Sequence, residues 1–233
     1  MKTTKFYAII VAGGSGKRMN SSVPKQFLEI LGKPVLMHTI EKFFKSDYSP
    51  EIILVLPENQ LTTWNNLKEK HQFKIPHIIA LGGEERFHSV KNGLVNIKEE
   101  NSIIAIHDAV RPLVSLATIN NCFKSATQNG NAIAAITSKD SVRVVNGNKN
   151  EAVSRDKIYL IQTPQVFNFH QINLAYQQQF NKDFTDDASV VESAGYEIHL
   201  SEGDSFNFKI TYLEDILSAE VILKSQQSLN TKK

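Results

Sequence analysis

A chain of 233 residues is long enough to bury a sizeable core, as one large domain or two small ones. Hydrophobic content of 41% with 21% charged residues is that of an ordinary globular protein, and a net charge of +2 with pI about 8.5 is too mild to imply nucleic acid as the main partner. The single cysteine, Cys122, excludes an intrachain disulfide and a cysteine-built metal cluster, and the apolar runs fall short of the ~20 residues needed to span a bilayer.

Residues 1–5 are polar and lead straight into a strand, so no signal peptide and a cytoplasmic location are expected. The apolar run Ile9-Ile10-Val11-Ala12 then ends abruptly in Gly13-Gly14-Ser15-Gly16, followed by Lys17, Arg18 and, after Pro24, by Lys25-Gln26-Phe27. Glycines let the chain turn and present bare amides, and successive amides make an anion-binding concavity. With the cations beside them, this stretch reads as a loop that holds a polyphosphate. Two familiar phosphate loops do not fit. A P-loop needs a glycine where Val11 stands and Ser or Thr where Arg18 stands, and the dinucleotide fingerprint would place its third small residue on Met19.

Gly32-Lys33-Pro34 marks a turn, after which Leu36, Ile40, Phe43 and Phe44 recur at helical spacing. Residues 51–56 read as a second buried strand, stopped by Pro57, then come a polar helix and a short strand at 77–80. Gly82-Gly83-Glu84-Glu85-Arg86 opens a helix that carries Phe87, Val90 and Leu94 on one face. The strand at 103–106 ends on His107-Asp108-Ala109-Val110-Arg111-Pro112, and a helix containing Cys122 leads to a strand at 132–136. This alternation predicts an α/β fold with a mostly parallel sheet, whose ligands sit beyond the carboxyl ends of the strands. The glycine loop, Gly82-Gly83 and Asp108 should therefore meet at one rim.

The pattern then changes. Val142 to Val145, Asn146-Gly147-Asn148 and residues 151–160 read as a hairpin with a connection longer than two residues. Such an arm, spanning 137–160, is marginal alone and is expected to pack on a second subunit. A helix at 172–180, a helix capped by Thr185, strands at 196–200 and 206–211, and a last amphipathic helix through Ile216, Leu217 and Val221 complete one domain over 1–233.

The set A-G-G-S-G-K-R with P-K-Q, G-G-E-E-R-F-H-S-V, H-D-A-V-R-P, T-P-Q, T-D-D-A-S and N-F-K-I-T resembles, in that order and spacing, the 2-C-methyl-D-erythritol 4-phosphate cytidylyltransferases. The resemblance covers essentially the whole chain. It implies a Rossmann-like sheet of the nucleotide-diphospho-sugar transferase type with helices on both faces, and an enzyme that transfers CMP from CTP to methylerythritol phosphate. It also implies Mg²⁺ carried mainly by the CTP phosphates, with no protein metal site. Arg18 and Lys25 match transition-state stabilisers, and Arg155 and Lys209 match residues that position the acceptor phosphate. Ala12, Gly13, Gly14 and Gly16, with Gly83, Glu84 and Ser89, match the CTP site, although Ser89 could instead cap its helix and Glu84 stands where the family often has Asp. Asp108, Arg111, Ser141, Thr163 and Thr185 match the acceptor side, Asp108 contacting either substrate or the metal shell. In the family the arm crosses into a neighbouring subunit, so that Ser141 and Arg155 would complete the partner's site in a homodimer. Tyr212-Leu213-Glu214-Asp215 departs from the usual Pro-Glu-Asp, at the start of the last helix only. Two alternatives stay open: a ribitol-5-phosphate cytidylyltransferase, whose corresponding segment lacks the second acid of T-D-D-A-S, and a nucleotide-binding regulatory protein without catalysis.

Overall fold

The computed structural model describes residues 3–13 and 23–230. Its centre is a seven-stranded sheet in the order β11-β7-β10-β6-β1-β4-β5. The strands are β1 (Lys5–Val11), β4 (Glu51–Leu56), β5 (Ile78–Leu81), β6 (Ser102–Asp108), β7 (Asn131–Thr137), β10 (Tyr159–Asn168) and β11 (Leu200–Glu202). All neighbours pair in parallel except β10, which runs antiparallel between β6 and β7. The central strands are apolar runs because both their faces are covered. Ala8 and Ile10 point into one core with Leu36, Ile40 and Phe123, whereas Tyr7 and Ile9 point into the other with Val90, Phe167 and Val191.

Helices α1 (Val35–Phe44), α2 (Leu61–Lys70) and α4 (Leu116–Asn129) supply buried residues to the first core. The second is covered by α3 (Arg86–Leu94), α5 (Phe169–Ala175) and α6 (Asp187–Ser193). A third cluster joins the small hairpin β2 (Glu29–Ile30) and β3 (Lys33–Pro34), with the first residue of α1, to α7 (Leu213–Asn230) through Ile30, Val35, Ala219 and Leu223. From β1 the chain proceeds outward through β4 to β5, then returns to β6 on the other side of β1. That reversal is the topological switch point of an open α/β sheet, the usual place for a ligand.

Several boundaries differ from the sequence reading. The arm is a two-stranded sheet of β8 (Val142–Asn146) and β9 (Lys149–Val153), and Asn146 pairs with Lys149, so the connection is the two residues Gly147-Asn148, with Gly147 at φ +58°. The returning strand stops at Val153, before a 3₁₀ turn over Arg155–Lys157. Helix α5 begins earlier than 172 because Asn168 caps it, and it ends at Ala175, whose carbonyl accepts from the Gln178 side chain. The helix at 185 is capped by Asp186 rather than Thr185, in a reciprocal capping box with Ser189. The ladder of β11 starts only at Leu200, since the His199 amide donates to the Asn131 side chain instead. Residues 206–211 form no strand: the Asn207 amide closes a turn onto Asp204, Ile210 makes a single rung to Val110, and Thr211 donates to Asp215. In α7 the inward face runs through Ile216, Ala219 and Leu223, which leaves Leu217 and Val221 exposed. Among the described residues no helix is long and apolar enough to cross a membrane.

Candidate active site

Strands β1 and β6 pair in register from Lys5–Ser102 to Val11–Asp108, so the end of β1, which leads into Ala12 and Gly13, lies beside Asp108. Ala12 is fixed there by its amide, which donates to Val55, and by its carbonyl, which accepts from the Gln26 side chain at 2.9 Å. Gln26 also donates to Gln60 Oε1 and is buried, so it ties the P-K-Q turn to the strand end. Lys25 is itself only 8% exposed, with Nζ 3.5 Å from the Ile210 carbonyl. Gly14, Gly16 and Arg18 lie outside the described residues.

Ser89 joins the two glycine segments. Its Oγ accepts from the Gly83 amide at 3.0 Å, and a Cβ on Gly13 would stand 3.3 Å from the same oxygen. It sits within α3 and holds the preceding loop; the residue in the N-cap position is Glu85, which makes no side-chain cap. Gly83 is required to be glycine, since a Cβ there would lie 2.4 Å from His88 Cβ.

Asp108 is the centre of a ring of cations. Lys209 Nζ lies 3.0 Å from its Oδ2, Arg111 Nε 3.3 Å from the same oxygen, and Arg86 Nε 3.6 Å from Oδ1. Burial alone would raise the pKa of this carboxyl; Arg86, Lys209 and Arg111 together reverse that and hold it below the usual carboxylate range. Lys209 reaches Asp108 because its segment is fastened on both sides. Asn207 donates to the Thr163 carbonyl and accepts from Arg111 through its own carbonyl, and Ile210 bonds Val110.

His107 and Thr163 support this centre from beneath. The Asp108 amide donates to Thr163 Oγ1, which lies 3.1 Å from His107 Nδ1, while His107 Nε2 lies 3.2 Å from the Arg111 carbonyl. Only a neutral imidazole, protonated on Nε2, satisfies all these groups at once. Burial pushes the pKa of His107 down to about 3, in agreement. The Thr163 hydroxyl is thus engaged within the protein.

Two cavities open on either side of Asp108. One, of about 320 Å³, is lined by Ala12, Gly13, Lys25, Gln26, Glu84 and Glu85; the other, of about 300 Å³, by Arg111, Thr163, Gln165, Thr185 and Asp186. Arg86, Asp108 and Lys209 belong to both and form the wall between them. Ser141 and Arg155 are exposed at the foot of the arm and line neither cavity; Arg155 donates to the Lys139 carbonyl.

Sequence reasoning missed Arg86, Gln165 and Asp187. Gln165 of T-P-Q donates to Asp186 and accepts from the Ala188 amide, so T-P-Q and T-D-D-A-S are two halves of one joint. Arg86 forks onto Asp187 at 2.8 and 2.7 Å. The acid pair Asp186-Asp187 was a visible signal that a cation must stand opposite, but not which one.

A switch-point rim with paired glycine segments and gathered cations defines a nucleotide-handling α/β protein. The family model described as "IspD: 2-C-methyl-D-erythritol 4-phosphate cytidylyltransferase" matches residues 6–225. Curated relatives of that name from Bacteroides thetaiotaomicron and Bacteroides fragilis are 47% and 49% identical, covering 92% and 93% of this chain and 98% of each relative. The crystal structure of 4-diphosphocytidyl-2C-methyl-D-erythritol synthase from Anaerococcus prevotii superposes with a TM-score of 0.81 at 28% identity, over 95% of this chain and 96% of that one. The chain belongs to the 2-C-methyl-D-erythritol 4-phosphate cytidylyltransferase family.

Proposed function

We propose that this protein transfers CMP from CTP to 2-C-methyl-D-erythritol 4-phosphate and releases pyrophosphate. An acceptor phosphate oxygen attacks the α-phosphorus in line, and the bond to the bridging oxygen of the leaving pyrophosphate breaks. The acceptor is already anionic, so no strong general base is needed. What the site must supply is fixed positive charge and alignment of two anions that repel each other.

The observation that carries this reading is the shared wall. CTP is assigned to the cavity lined by Ala12, Gly13 and Lys25, together with Gly14, Gly16 and Arg18 of the loop, and the acceptor to the cavity lined by Arg111 and Thr185. Lys209 faces both and can hold the acceptor phosphate against the α-phosphorus. Lys25 and Arg18 stabilise the charge that develops at the five-coordinate phosphorus. Gly83, Glu84 and Ser89 hold the base.

Mg²⁺ on the triphosphate would neutralise charge on CTP. The ion would be carried by phosphate oxygens, and Asp108 is the carboxylate that lines both cavities. The arm, with Val144 and Val145 exposed, is assigned to a homodimer in which Ser141 and Arg155 complete the partner's acceptor site. The protein is assigned to the cytoplasm.

The test is pyrophosphate release from CTP and Mg²⁺ with methylerythritol phosphate or ribitol 5-phosphate in parallel. Release with the former alone supports the reading; release with ribitol phosphate alone moves the protein to the sister reaction. Lys25→Ala should lower kcat by roughly 10²–10³-fold, and near-normal turnover would refute the electrostatic mechanism.

A further inference from the structure

Arg86 is placed against local preference. It is the first residue of α3, where the helix dipole disfavours a cation, the first turn carries no acid, and the N-cap residue Glu85 makes no side-chain cap. Compensation comes from the start of α6. Asp187, fully buried, receives both terminal nitrogens of Arg86 and the Tyr176 hydroxyl at 2.6 Å. Burial drives the Tyr176 pKa well above its usual value, and the Asp187 charge adds to it, so this hydroxyl remains a donor. With its fork pinned, Arg86 turns Nε towards Asp108 Oδ1, opposite Lys209 and Arg111 on Oδ2. Its side chain is still 31% exposed, and it lines both cavities.

We propose that Arg86, clamped by Asp187 and Tyr176, is a positioning residue for the transfer: it fixes the Asp108 carboxylate, and through it the Lys209 ammonium, on the wall between nucleotide and acceptor. This gives the second acid of T-D-D-A-S a task. Asp186 caps α6 and binds Gln165, whereas Asp187 reaches across 101 residues of sequence to hold the fork. Lysine could supply the charge of Arg86 but not its two parallel bonds.

The inference rests on the proposed reaction, and the wild-type protein separates the two. If wild type does not turn over methylerythritol phosphate, the reaction is wrong; if it does, the variants decide the role of Arg86. Arg86→Gln leaves Asp187 buried without its counter-charge and should melt well below wild type. The double variant Arg86→Gln/Asp187→Asn removes both charges and should recover most of that melting temperature. Its kcat should nonetheless stay at least about tenfold below wild type, with both KM values within about threefold, because misplacement acts in the transition state. Arg86→Lys should show the same split between kcat and KM. A double variant that recovers kcat along with its melting temperature would make the pair a purely structural tie and overturn the proposal. So would an Arg86→Lys variant with wild-type kcat.

Discussion

Asp108→Asn is the most direct probe of the cation ring. The substitution keeps the shape and removes the charge between Lys209 at 3.0 Å, Arg111 at 3.3 Å and Arg86 at 3.6 Å. At an effective dielectric constant of about 20, a single pair at that spacing is worth roughly 5 kcal/mol of gross attraction. Desolvation offsets much of this, and breaking a buried pair costs about 3–5 kcal/mol in practice. Arg86 keeps Asp187 and Arg111 keeps the Asn207 carbonyl, so the low end applies, about 3 kcal/mol. For a chain of this size each kcal/mol lowers the melting temperature by about 2–4 °C, so a fall of about 6–12 °C is expected. Trp64, the one tryptophan of the sequence and fully buried, reports the transition by its fluorescence. A variant that melts within about 2 °C of wild type would mean that the carboxylate does not hold the ring together, and the electrostatic account of Lys209 would fall with it.

Acid should destabilise the fold. Free histidine titrates near 6.5 but His107 is held at about 3 by burial, so the unfolded chain takes up a proton that the native state refuses. Stability is complete above about pH 6.5 and declines as the pH falls towards 3, Asp108 adding a further loss at still lower pH. A melting temperature that is flat between pH 7 and about pH 4.5 would contradict this assignment. Cys122 is fully buried, and its thiol is pushed up to about 11, so a thiol reagent should leave the native protein untouched and titrate it only in denaturant. Fast labelling under native conditions would show that α4 opens. Gly83→Ala must push apart the loop and α3, because the new Cβ meets His88 Cβ at 2.4 Å and the His88 carbonyl carbon at 3.0 Å. A loss of about 1–3 kcal/mol with a raised KM for CTP is expected, and unchanged values for both would show that the two segments give way freely.

The parallel half of the fold was legible because buried strands and amphipathic helices alternate with glycine or proline at their joints. The carboxyl-end rule then brought Gly13, Gly83 and Asp108 together without any contact being known. Legibility failed where side chains do the work of the backbone. Asn131 takes the His199 amide, Gln178 ends α5, and Asp215 takes the amides of Thr211 and Tyr212; none of these has a periodic signature. The inward face of α7 was misread for a related reason: Leu213, Leu217 and Val221 are as apolar as the buried set, and only the position of β2 and β3 selects between the two stripes. Arg86 was hidden because a cation at a helix start contradicts local preference, and its partner lies 101 residues away.

That long reach has a consequence for how the enzyme is made. Arg86 waits for Asp187, Asp108 waits for Lys209, and Lys25 meets Ile210 across 185 residues. At about 5–20 residues per second, a ribosome adds Lys209 roughly 5–20 s after Asp108. During that interval a nascent chain can own the glycine loop and the β1–β6 pair while its cation ring is still open. A ligand stabilises only the conformation that binds it, so nucleotide in the surrounding medium would steady the finished chain and give little help to the one still emerging.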